Sequence, residues 1–199
     1  MAHLVEDRQE LTASLVVFGA ARSGKSSVLR CVHDRVAPVR LGDRFPLGSP
    51  PSGVPLLDWL PLELGLIGGW LVRVNLYGVP AERHADTTRR LVLGNADGIL
   101  FVADSQASRL GENIDALQTL QDHLLDRDGD VRDIPLVFLY NKQDLPAELI
   151  LTPDVLGEAL NFRGAPSYGC DALRGVGVLE ALHTGVTRMM RRLAPARTG

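Results

Sequence analysis

The stretch Phe18-Gly19-Ala20-Ala21-Arg22-Ser23-Gly24-Lys25-Ser26-Ser27 constrains this chain more than any other. It has the form G-x-x-x-x-G-K-S. The apolar run Leu15-Val16-Val17-Phe18 precedes it, and Val28-Leu29-Arg30-Cys31-Val32, able to continue as a helix, follows it. Strand, glycine loop and helix in that order separate a phosphate-binding P-loop from a chance match. The glycines let the backbone wrap around an oxyanion with successive N–H groups pointing inward. The following helix aims its positive end at the same place. Lys25 would reach the β and γ phosphates, and the Ser26 hydroxyl would ligate Mg²⁺. The candidate phosphate site is thus Gly19, Ala20, Arg22, Ser23, Gly24, Lys25, Ser26 and Ser27, with Ser26 also the metal ligand. The bland alternative, a glycine-rich turn with an exposed lysine, is disfavoured by the flanking elements.

The rest of the chain supplies strands and helices in alternation. The pattern predicts a strand over 12–18, a helix over 25–36, strands over 56–62 and 70–77, a helix over 87–93 and a strand over 98–104. Gly65, Gly68 and Gly69 between the second and third strands read as the turn of an antiparallel hairpin. In the latter strand Trp70, Val72, Val74 and Leu76 alternate with Leu71, Arg73, Asn75 and Tyr77, which makes one face apolar. A long amphipathic helix carries Leu110, Ile114, Leu117, Leu120 and Leu124. Strands follow at 135–140 and 166–170, separated by a helix over 153–160. The last helix carries Leu179, Leu182, Val186, Met189 and Leu193. Such alternation gives an α/β fold: a single P-loop domain over 11–194 with a mostly parallel, doubly wound sheet, one antiparallel hairpin and flanking helices. Residues 1–10 read as a flexible start and 195–199 as a tail. Two loops stand out: 37–55, with eight Pro or Gly (Pro38, Gly42, Pro46, Gly48, Pro50, Pro51, Gly53, Pro55), and 78–86.

Composition narrows the function classes. A length of 199 residues suits one domain, and a net charge of −3 without a basic block argues against nucleic acid as a partner. Cys31 and Cys170 have no metal or disulfide spacing, which fits a reducing cytoplasm. No apolar run is long enough to span a bilayer, and neither terminus carries a lipidation motif, so no direct membrane anchor is expected.

Asn141-Lys142-Gln143-Asp144 sits at the carboxyl end of a buried strand, on the rim shared with the P-loop. A carboxylate there can accept from both N1–H and N2–H₂ of guanine, a donor pair that adenine lacks. Asp144 is the candidate for that contact, with the Lys142 stem against the purine face and Asn141 tying loops together. After the last strand, Ala172 stands where a backbone N–H could meet the guanine oxygen. The tetrapeptide alone is weak; placed downstream of a P-loop in this order it points to guanine.

With these residues in place the chain resembles the bacterial MglA-type (mutual gliding-motility) branch of Ras-like small GTPases, from about Ala13 to Leu193. The likeness runs through 56–62, 75–80, 98–105 and 141–144. It implies a Ras-like G domain with an extra strand before the usual sheet, acting as a cytoplasmic GTP/GDP switch with Mg²⁺ in cell polarity or motility. A roadblock-type (MglB-like) regulator and effector proteins are the implied partners. This sequence departs where the γ phosphate is handled. The arginine and threonine that relatives carry before the Leu-Pro-Leu strand are Gly53 and Val54 here. A proline, a glycine and a water-orienting glutamine become Pro80, Ala81 and Glu82. Ala81 would line the phosphate site, and Glu82 and Arg83 are the candidate catalytic residues. Glu82 would either repel the phosphate and orient water poorly, the favoured reading, or act as a base with a raised pKa. Arg22 or Arg83 could replace the missing arginine in cis, while His84, Asp58 and Asp104 read as loop or turn residues. The expectation is weak or absent intrinsic hydrolysis. The alternatives are a pseudo-GTPase that docks a partner without switching and, more remotely, a P-loop kinase.

Overall fold

The computed structural model describes residues 3–5, 9–36, 58–67, 69–79, 86–125 and 134–193. Both expected loops' key positions, Gly53 and Val54 in one and Pro80, Ala81, Glu82, Arg83 and His84 in the other, lie outside the described residues, as does the tail 195–199.

Among the described residues seven strands form one sheet: β1 (His3–Val5), β2 (Glu10–Phe18), β3 (Asp58–Ile67), β4 (Trp70–Gly78), β5 (Gly98–Asp104), β6 (Leu136–Asn141) and β7 (Ser167–Cys170). Among the described residues five α-helices accompany it: α1 (Lys25–Val36), α2 (Asp86–Gly94), α3 (Leu110–Leu125), α4 (Pro153–Leu160) and α5 (Val178–Leu193). The strand order is β3-β4-β2-β5-β6-β7, and β1 pairs with β2 off that path. β2 runs parallel to β4 and β5, β5 to β6 and β6 to β7, whereas β3 and β4 form the expected antiparallel hairpin. Within the segment read as a flexible start, His3–Val5 form a short strand. His3, Leu4 and Val5 pair antiparallel with Thr12, Leu11 and Glu10, so a ladder extends β2 toward its amino end. That pairing satisfies backbone groups of His3–Val5, which composition does not report.

Period-two alternation distributes β2 over two cores. Leu15 and Val17 join Leu60, Val72, Val74, Leu76, Leu100 and Val102 beneath α1 and α5. Val16 and Phe18 join Ile99, Phe101, Phe138 and Tyr140 beneath α2, α3 and α4. All seven residues of β5 are buried, as a central strand covered on both faces requires. On the second face Phe18, Phe101, Phe138 and Tyr140 form a row with ring centroids 6.4, 5.3 and 6.0 Å apart, tilted as aromatic quadrupoles prefer. The parallel registers align these strands, and the carboxyl ends at Phe18, Asp104, Asn141 and Cys170 open on one rim. Ligands of doubly wound sheets bind on that rim, at the point where strand order reverses.

Candidate functional site

The P-loop leaves β2 at Gly19 and enters α1 at Lys25. Gly19 has φ 149°, and a Cβ there would lie 2.1 Å from the Val102 carbonyl oxygen; Gly24 has φ 104°, and a Cβ would lie 2.0 Å from Asn141 Nδ2. Neither position can take a side chain, because the loop is pressed against the ends of β5 and β6. Arg22 takes φ 62°, a left-handed conformation costly for a non-glycine residue, and its side chain is exposed. Lys25 Nζ donates to the carbonyls of Gly19 (2.9 Å) and Ala20 (2.7 Å), folding back across the loop. Ser27 is half-buried in the first turn of α1, and Ala20 is buried. Ser23 turns its side chain into the protein. Its hydroxyl is fully buried with no hydrogen-bond partner among the described residues, so what it presents outward is backbone.

Asn141, almost fully buried, joins three segments. Its Nδ2 donates to the Ser23 carbonyl (2.8 Å), and its Oδ1 accepts from the Ala172 N–H (3.0 Å) and, more distantly, from Cys170 Sγ (3.6 Å). The tying role expected of Asn141 is what the geometry displays. The Ala172 N–H, offered in the sequence reading to a guanine oxygen, is instead donated to Asn141. The loop that follows is built by Asp171, whose Oδ1 accepts from the N–H groups of Leu173 (3.0 Å) and Arg174 (3.1 Å). Arg35, at the end of α1, holds the same loop through the Arg174 and Gly175 carbonyls. Cys170 packs beneath it: burial first, then the nearby Asp171 and Cys31, push its thiol up to about 12.

Lys142 has φ 71°, and its Nζ lies 2.5 Å from Asp104 Oδ2. Asp104 is 1% exposed and also accepts from the Gln106 N–H and Nε2, each at 3.1 Å, with Arg109 Nε 4.0 Å away. A buried carboxylate survives only when so surrounded. The turn role read for Asp104 is present in the Gln106 bonds; its part in holding the Lys142 ammonium is new. Asp144 stands apart: it is exposed, and no described residue bonds its carboxylate, which leaves both oxygens for a ligand.

Ser26 Oγ donates to Asp58 Oδ2 at 2.8 Å. Asp58 opposite Gly78 begins β3, so the antiparallel register, and not a local turn, carries this carboxylate to the P-loop. Hydroxyl plus carboxylate is a hard oxygen donor set that suits Mg²⁺. Among the described residues no group of three or more His, Cys, Asp or Glu could by itself hold a metal ion. Beyond the segment 80–85 the chain resumes at Asp86, where Arg90 Nε (3.2 Å), Arg89 Nη2 (3.4 Å) and His123 Nε2 (3.2 Å) converge. Desolvation pushes the Asp86 carboxyl upward, but the bonds from Arg90 and Arg89 and the His123 charge outweigh it and leave it lowered.

A glycine-wrapped P-loop cross-tied to an N-K-x-D rim, on a doubly wound sheet with one antiparallel hairpin, defines a Ras-like α/β domain. The Mutual gliding-motility protein MglA of Myxococcus xanthus (strain DK1622) is 35% identical over 182 residues, covering 92% of each chain. ADP-ribosylation factor-like protein 4D of Homo sapiens is 25% identical over 190 residues, 93% of this chain and 87% of its own. No protein-family model matches the chain. The chain belongs to the MglA-type branch of the Ras-like small GTPases. No helix among the described residues is long and apolar enough to cross a membrane.

Proposed function

We propose that this chain binds GTP and GDP with Mg²⁺ and works as a regulatory switch that hydrolyses GTP slowly on its own. The observation that carries the proposal is the use made of Asn141, which fixes the P-loop and the 171–176 loop in one bond set while leaving Asp144 unengaged at the rim. A pocket with a phosphate cup at one end and an open carboxylate at the other matches a guanine nucleotide in chemistry. Asp144 would accept from N1–H and N2–H₂, and the Lys142 stem would cover a purine face. Lys25 would exchange the Gly19 and Ala20 carbonyls for phosphate oxygens. Ser26 and Asp58 would hold Mg²⁺, which supplies charge neutralisation at the phosphates when bound.

Slow hydrolysis follows from three residues of the sequence. Val54 has no oxygen for the metal or the γ phosphate, and Gly53 carries no charge, where an arginine finger contributes on the order of 10³–10⁵ in rate. Glu82 would place a carboxylate beside a polyanion, with Arg83 the nearest cation in sequence. The relationship to a mutual gliding-motility protein supports a bacterial, cytoplasmic role in cell polarity or motility, with a roadblock-type (MglB-like) regulator and effector proteins as partners. Single-turnover phosphate release at saturating Mg²⁺ tests this. Release slower than about 10⁻³ s⁻¹ for the protein alone, accelerated by such a regulator, is expected. Fast release by the protein alone overturns the slow-hydrolysis half.

The same departures favour one second reading, a pseudo-GTPase that docks a partner through 37–55 and 78–86 without switching. Hydrogen exchange in those segments separates the two. Different protection with GDP and with a non-hydrolysable GTP analogue is the mark of a switch, and identical protection is the mark of the module.

A further inference from the structure

Arg109 closes the short 3₁₀ turn Ala107–Arg109 just before α3, and its guanidinium makes three contacts of different kinds. Nη2 donates to the Ala21 carbonyl at 3.0 Å, Nη1 to Glu112 Oε1 at 2.6 Å, and Nε lies 4.0 Å from the buried Asp104 carboxylate. The first of these reaches across 88 residues to the crest of the P-loop. A trans peptide is planar, with its C=O and N–H pointing in opposite directions. Holding the Ala21 carbonyl toward Arg109 therefore aims the Arg22 N–H to the opposite side of the loop. Asn141 does the same two peptides further on: by holding the Ser23 carbonyl it aims the Gly24 N–H away from itself. Two outward carbonyls are thus pinned from outside the loop, one from the end of β6 and one from the start of α3. The peptide that Arg109 holds is the one that leads into the left-handed Arg22, where the loop is conformationally most costly. Arg109 is itself anchored, because α3 is stapled to β5 by Asn113, which accepts from the Asp104 N–H (3.0 Å) and donates to the Asp104 carbonyl (2.8 Å).

We propose that Arg109 is a positioning residue for nucleotide binding, holding the P-loop crest in its phosphate-accepting conformation and tying it to α3. The inference rests on the nucleotide-binding reading above. It assigns the P-loop arginine function neither to Arg22, which is exposed, nor to a residue that touches the phosphate.

The test is the dissociation rate of fluorescent GDP, chased with excess unlabelled GDP, from the full-length wild type, Arg109→Ala, Arg109→Lys and Glu112→Ala. Hydrogen exchange of the peptide spanning 19–26 is followed in parallel. Arg109→Ala removes a charge-assisted hydrogen bond, and about tenfold faster dissociation is expected, with faster exchange confined to 19–26. Arg109→Lys keeps one donor and the charge, and a rate within about threefold of wild type is expected. Glu112→Ala, on the surface, frees the guanidinium on one side, for an expected two- to fourfold acceleration. Should Arg109→Ala not fold, the Lys and Glu112 variants decide the matter. Rates within twofold of wild type for the alanine variants overturn the inference. So does Arg109→Lys matching Arg109→Ala with exchange raised throughout the domain, since that would be a packing effect. A wild type that holds no guanine nucleotide overturns the proposed function, and this inference with it. Tight wild-type binding with unresponsive variants overturns this inference alone.

Discussion

The two ends of the pocket are built on opposite plans. At the base end the protein satisfies its own polar groups permanently. Asn141 uses its amide on Ser23, Ala172 and Cys170, Asp171 Oδ1 closes its own turn, and the Asp144 carboxylate is exposed with no bond from a described residue. At the phosphate end the groups that would meet a ligand are already engaged with the chain. Lys25 lies on two carbonyls, and Ser26 lies on Asp58. A ligand at the base end adds bonds without breaking any, whereas at the phosphate end it must exchange them. Preorganisation of the first kind gives affinity and selectivity cheaply. The second kind makes the outcome depend on what is bound, which a switch needs.

If the base end is a fixed frame, removing its hub should do the most damage. Asn141→Ala orphans the Ser23 carbonyl and the Ala172 N–H in a buried place, so urea unfolding should show a loss of about 2–4 kcal/mol. Fluorescence titration should show GDP affinity down by about a thousandfold, since both loops lose their register. Affinity surviving within tenfold would break the comparison. Asp144→Asn should separate recognition from framework. It presents a donor and an acceptor in place of two acceptors, so GDP should weaken by about a hundredfold and xanthosine diphosphate should strengthen. Stability should stay within about 0.5 kcal/mol, because the side chain is exposed. At the other end, Asp58→Asn removes a charge from the Ser26 pair. The slowing of GDP release by Mg²⁺, measured with and without chelator, should shrink by about tenfold. An unchanged Mg²⁺ effect would return Asp58 to the turn role read from the sequence.

Legibility in the sequence divided along a physical line. Where function is written in local backbone needs, as at Gly19, Gly24 and the strand-loop-helix around them, the motif alone placed the loop correctly on the rim. Period-two alternation in 70–77 and the wholly apolar run at 98–104 were equally readable, because burial on one or both faces is a local pattern. Pairing is not local. β2 begins at Glu10 and not near 12 because Glu10 has Leu71 on one side and Val5 on the other, neither visible in its neighbours along the chain. Asp58 reaches Ser26 through the register of the β3–β4 hairpin, and Arg109 reaches Ala21 only once α3 is stapled to β5. Asp104 carries a readable signal: an acid ending a strand of wholly buried residues must find a cation, and Lys142 directly follows the adjacent strand. The Ala172 N–H shows the same limit: a sequence tells that a donor exists, and only the fold shows that Asn141 Oδ1 accepts from it.

The smallest expected effect tests whether the base end stays closed. Cys170 lies under the 171–176 loop with Sγ toward Asn141 Oδ1, and burial, with Asp171 and Cys31 adding to it, pushes its thiol from 9.0 to about 12. Between those values the unfolded chain gives up the thiol proton and the folded chain keeps it. The folded state then binds more protons, and stability from this group, fully present below pH 9, is lost as pH rises toward 12. The slope is about 1.4 kcal/mol per pH unit in that window. Cys170→Ser keeps a donor for Asn141 and does not titrate there. Relative to their difference at pH 7, wild type should therefore lose about 1 kcal/mol against the variant by pH 10, read by urea unfolding at both values. GDP affinity at pH 7 should change by less than twofold. Parallel stability curves would mean that the thiol meets water in the folded chain, and a base end that admits water there is not the fixed frame from which the phosphate end is distinguished.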